Sequence, residues 1–82
     1  NHLVALLGQV ERVAPRGVPL EAFLALVRCT VDSFAALGPA AALTGPVARG
    51  DWATVERHVA ALPEDERPAY EAMVAQARRL AP

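Results

Sequence analysis

The stretch Pro19–Leu37 constrains the fold more than any other part of the chain. Leu20, Phe23, Leu24, Val27, Val31 and Phe34 recur at helical spacing as one heavy apolar face. Ala22, Leu26, Cys29, Ser33 and Leu37 form a second, lighter face, which leaves Glu21, Arg28 and Asp32 as the polar stripe. Pro19 suits the first turn of such a helix, and Gly38 is a natural stop. At 1.5 Å per residue the helix is about 28 Å long. A helix this apolar must be covered on most sides, so it is expected to be the central helix of the fold. Its small residues would let a second helix approach closely.

The flanking segments also read as helices. Leu3, Leu6, Leu7, Val10, Val13 and Ala14 make one stripe over about His2–Ala14, with Gln9, Glu11 and Arg12 off it. Pro15 and Gly17 end that helix. Asn1 stands where it could cap it, or in the middle of a longer helix whose earlier residues are absent. Pro39 and Pro46 each follow a Gly and open short helical turns at Pro39–Leu43 and Pro46–Arg49. Asp51 caps a helix over Trp52–Leu62, with Trp52, Val55, Val59 and Leu62 as its seam. The last helix starts in Glu64, Asp65 and Glu66, where the helix dipole favours acids, and carries Tyr70, Met73, Val74, Ala77 and Leu80 as its stripe. No strand pattern competes with these periods. The expected architecture is all-α: one domain over residues 1–82, a small bundle of about four main helices with one or two short turns.

Composition sets the outer limits. The 82 residues carry 8 Lys+Arg and 9 Asp+Glu, a net charge of −1, which gives no excess for nucleic acid or an anionic membrane. No run of about 20 apolar residues could span a bilayer, and no signal peptide is visible. The lone Cys29 excludes an internal disulfide and is expected as a buried free thiol, in keeping with a cytoplasmic protein. All 8 cations are Arg, and 18 of the residues are Ala, a bias in keeping with a bacterial origin. The chain begins at Asn1 rather than Met, which reads as a fragment or a processed product. Many of its apolar side chains are Ala, which gain little on burial, and a chain of this size buries only about 60% of its unfolded surface. Part of its surface is therefore expected to be covered by another subunit or domain.

The candidates for chemistry are few. His2, His58 and Cys29 have no metal-ligand spacing. His58 belongs at the solvent edge of the Val55/Val59/Leu62 seam. Ser33 has no evident His and Asp companions. Tyr70 and Met73 fit a core stripe. Arg49-Gly50-Asp51 spells the tripeptide that integrins read in adhesive ligands, but Asp51 already has the task of helix cap. Leu43–Asp51 is the most unusual segment. Thr44, Gly45 and Gly50 permit close backbone approach, and Thr44 and Arg49 could bind a polar or anionic ligand. The same residues also suit a tight connector between helices.

That segment, Leu43-Thr44-Gly45-Pro46-Val47-Ala48-Arg49-Gly50-Asp51, resembles the signature of a C-terminal domain of unknown function found behind Rossmann-like domains. Asn1–Leu6, Leu37–Ala42, Val55, Arg57, His58, Leu62 and Pro68-Ala69-Tyr70 resemble its flanking landmarks. Whole proteins of this kind look like pyrroline-5-carboxylate reductase and other 6-phosphogluconate-dehydrogenase-like enzymes. The resemblance implies a parent oxidoreductase in which an upstream Rossmann domain binds NAD or NADP. The helical domain then makes a homodimer and closes the substrate cleft. It further implies Asn1, Thr44 and Arg49 as cleft-lining residues. This chain has no GxGxxG, so no cofactor site, metal site or hydride transfer is expected within it. The rival reading is a free-standing helical module that binds a partner helix in an apolar groove.

Overall fold

Proline, glycine and aspartate set the helix ends. The computed structural model describes residues 1–81, and they form α1 (His2–Val13), α2 (Leu20–Leu37), α3 (Pro39–Ala42), α4 (Pro46–Arg49), α5 (Trp52–Ala61) and α6 (Arg67–Arg78). A 3₁₀ turn, Glu64–Glu66, precedes α6. There is no strand among the described residues, so the expected all-α class holds.

Local chemistry accounts for most of these boundaries. Asp51 caps α5: its Oδ1 accepts from the Thr54 backbone N–H at 3.2 Å and its Oδ2 from the Thr54 hydroxyl at 2.6 Å. Those two bonds hold the Asp51 carboxyl below its ordinary range. Gly50, at φ 69°, turns the chain from α4 into that cap through a left-handed conformation that a side chain would disfavour. Asn1 occupies the cap position of α1, but its side chain makes no capping bond; its carbonyl accepts from Ala5 N–H at 3.0 Å. Pro19 lies just before α2 rather than in its first turn. The acids Glu64–Glu66 form the 3₁₀ turn, and α6 proper begins at Arg67 with Pro68 in its first turn. The Arg67 side chain serves the preceding helix instead, donating to the Leu62 carbonyl at 3.1 Å at the C-terminus of α5.

The packed part of the molecule consists of α4, α5, α6 and the 3₁₀ turn, with α1 tied to it. Val47 of α4 and Val55 of α5 are buried there. The tie to α1 is polar. Gln9, off the apolar stripe in sequence, is buried and donates from Nε2 to the Glu66 carbonyl at 2.9 Å. Arg12 adds a two-bonded pair with the Glu66 carboxylate, at 2.6 and 3.2 Å. That pair holds the Glu66 carboxyl below its ordinary range.

The expected centre of the fold is not its centre. No residue of α2 is buried, and the helix packs principally on α3. Val31 and Phe34 are each 55% exposed and Leu37 61%, while Phe23, Leu24 and Val27 are half-buried. The connection Ala14–Pro19 leads α2 away from α1, and Gly38, at φ 81°, turns the chain sharply into α3. Two further expectations fall with that one. Cys29 lies on α2 and is exposed, because no layer covers the helix. Met73 of α6 is 45% exposed for the same reason, while Tyr70 is half-buried.

Two measures of size agree with an uncovered helix. The radius of gyration is 13.1 Å, against about 11.7 Å for a folded chain of this length. The accessible surface is 6251 Å², against about 4,700 Å² for a folded monomer of this mass. The excess is about 1,500 Å².

The two depressed carboxyls predict an acid limit. Their folded values lie below their unfolded ones, so both contribute stability above the ordinary carboxylate range and lose it as pH falls. Melting temperature is expected to be flat at neutral pH and to fall in acid, with a shallower fall in Glu66→Gln and Asp51→Asn. Parallel acid profiles for wild type and both variants would assign the acid sensitivity elsewhere.

Candidate functional site

The signature segment places Arg49 at the end of α4, where it lines an open recess with Val47, Gly50, Trp52, Arg78 and Ala81. Three elements meet there because α4 and α5 share the Gly50–Asp51 corner while the C-terminal turn of α6 passes opposite. The Arg78 guanidinium lies over the Trp52 ring, 4.8 Å from its centroid, a cation–π contact. Arg49 is itself largely exposed, with an Nη2 atom 3.9 Å from Asp51 Oδ2. A longer ion pair at the surface is weak and readily exchanged for a ligand. The recess thus presents two guanidinium groups and an indole face, a donor set that suits a carboxylate or phosphate.

Of the three residues implied by resemblance, only Arg49 lines that recess. Asn1 is exposed at the start of α1, and Thr44 is exposed in the extended link between α3 and α4. Neither lines the Arg49 recess. Trp52, read in the sequence as part of an apolar seam, and Arg78 do line it. Only the 26-residue separation in sequence hid their proximity.

A second surface feature lies on the other side of the packed helices. Leu6, Val10, Val13, Leu62, Tyr70 and Met73, from α1, α5 and α6, line a mostly apolar groove. Its polar atoms are few. His58 Nδ1 and the Tyr70 hydroxyl share a hydrogen bond of 2.9 Å at its rim, with the rings edge-on at 80°. Burial pushes the Tyr70 phenol above its ordinary value, so it stays protonated at neutral pH. His58 is exposed at the edge of the α5 seam, as its sequence position implied.

A family model, that of a domain of unknown function (DUF2520), matches residues 1–77. The chain belongs to this family. No curated protein and no solved structure matches the chain. Among the described residues, no group of three or more His, Cys, Asp or Glu could hold a metal ion, and no helix is long and apolar enough to cross a membrane.

The stacking of Arg78 on Trp52 has a direct optical consequence. Arg78→Ala should shift Trp52 emission to longer wavelength and raise its quenching by acrylamide, whereas Arg49→Ala should change neither. Equal quenching in wild type and Arg78→Ala would remove the cation–π contact from the account.

Proposed function

We propose that this chain is the dimerisation and substrate-cleft domain of an NAD(P)-dependent oxidoreductase whose dinucleotide is bound by a Rossmann domain upstream in the same protein. The chain is not catalytic by itself. The observation that carries the dimerisation part is the apolar side of α2, left uncovered by its own chain and accompanied by about 1,500 Å² of excess surface. Surplus surface on that scale is of the order that obligate dimers bury per chain. The oxidoreductase part is supported by the resemblance of Leu43–Asp51 and its flanks to domains that follow Rossmann domains.

Within that reading Arg49 is the cleft residue best placed to hold an anionic substrate, with Arg78 beside it in the same recess. Thr44 and Asn1 are exposed and free to face a neighbouring domain. Asn and Thr would hydrogen-bond a carbonyl or carboxylate, and Arg would clamp the anion with two parallel bonds. None of the three is a proton-transfer group at neutral pH. The rival reading, a free-standing interaction module, draws on the apolar groove between α1, α5 and α6. A Rossmann domain encoded directly upstream of Asn1 would exclude it.

Two experiments test the two halves. Val31→Asp combined with Phe34→Asp should weaken self-association by about 100-fold or more, since two charges enter an apolar contact. The helical circular dichroism of the remaining elements should persist. An unchanged oligomer would detach α2 from the interface. In the intact parent enzyme, Arg49→Ala should lower kcat/KM by about tenfold to a hundredfold, the value of one charge-assisted pair, with little change in melting temperature. Unchanged kinetics with a lowered melting temperature would make the segment a structural connector.

A further inference from the structure

The recess at the α4/α5 corner offers guanidinium groups to an anion, and what surrounds them decides which anion. We infer that it takes a singly charged carboxylate in preference to a phosphate dianion, and that Asp51 sets the preference. This rests on the proposed reading of the recess as an anion-binding cleft and names the class of ligand the cleft takes.

Three observations carry it. First, the backbone from Arg49 to Trp52 has no donor to spare. The Arg49 N–H donates to the Gly45 carbonyl at 3.3 Å, that of Gly50 to Val47 at 3.2 Å, that of Asp51 to Pro46 at 2.8 Å and that of Trp52 to Gly50 at 3.1 Å. Protein sites built for phosphate commonly surround it with backbone N–H groups as well as cations. Here Val47, Ala48, Gly50 and Ala81 add no polar side chain to the lining, so the guanidinium groups are the main donors. A guanidinium meets a planar carboxylate with two parallel bonds and satisfies both of its oxygens. A phosphate on the same donors would keep oxygens unpaired. Second, Asp51 is a fixed negative charge beside Arg49. Its Oδ2 stands 3.9 Å from Arg49 Nη2, and both carboxylate oxygens are held by Thr54, at 3.2 and 2.6 Å. Arg57, which lies outside the lining, steadies the Thr54 hydroxyl in turn, donating to it from Nη2 at 2.7 Å. An anion on Arg49 therefore feels the Asp51 charge, and that repulsion grows with the ligand's own charge. Third, the lining holds two guanidinium groups against this one carboxylate, which leaves a single positive charge to be matched. Arg78 is held over Trp52, while the Arg49–Asp51 separation exceeds a hydrogen bond and leaves the Arg49 donors free for a ligand.

Trp52 is the chain's one tryptophan and lines the recess, so its emission reports occupancy there. The chain is titrated with acetate and with inorganic phosphate at constant ionic strength, at a pH where phosphate is doubly charged. Acetate should bind at least about tenfold more tightly than phosphate. Asp51→Asn keeps a capping side chain and removes the charge. It should tighten phosphate about tenfold and acetate about threefold, because the repulsion removed scales with the charge of the ligand. Glu56→Gln changes the net charge equally at an exposed position outside the recess, and should leave both affinities within about twofold. Arg49→Ala should abolish the response to both anions. Phosphate binding as tightly as acetate, or equal gains for the two anions in Asp51→Asn, would overturn the choice of ligand and leave the anion cleft standing. No response to either anion in the wild-type chain would overturn the inference and the anion-cleft reading together.

Discussion

Everything in this domain turns on an 18-residue apolar helix that its own chain does not cover. Burial of apolar side chains is the main favourable term in folding, at about 25 cal/mol per Å². The chain leaves Leu20, Leu26, Val31, Phe34 and Leu37 of α2 in solvent. In the proposed reading that exposed apolar side is where a second copy binds. The remaining helices hold together by a smaller apolar contact around Val47 and Val55 and by polar ties, of which Gln9 and Arg12 to Glu66 are the chief ones. Those ties hold α1 beside α6 and thereby form the apolar groove.

The same arrangement separates two functions in space. The apolar groove and the exposed face of α2 are the uncovered apolar surfaces. The Arg49, Trp52 and Arg78 recess lies at the α4/α5 corner and the end of α6, where the surface is polar and cationic. A carboxylate or phosphate held there would meet guanidinium donors without entering the apolar region. The proposed function assigns assembly to the first and anion binding to the second.

The helices were readable from sequence because their signals are local. Pro39, Pro46 and Pro68 stand in first turns, Asp51 caps α5, and Gly38 and Gly50 end helices, each within a residue or two of where its chemistry places it. The position of α2 was not readable. Its apolar faces state that it must be covered, and they say nothing of whether the cover comes from the same chain. That ambiguity turned an expected central helix into an exposed one and an expected buried Cys29 into a surface thiol. Gln9 misled in the opposite sense: a polar residue off the stripe became one of the three buried residues among those described, because the Glu66 carbonyl satisfies it. At the candidate site the signature gave Arg49, while Arg78 and Trp52 required the tertiary fold that brings α6 to the α4/α5 corner.

The central claim is that a second copy covers α2, and the solution mass of the chain tests it most directly. Light scattering over a wide concentration range should give twice the 8.7 kDa chain mass. Dilution should dissociate the pair only with loss of protection in α2. A folded species of 8.7 kDa at every concentration would contradict the account.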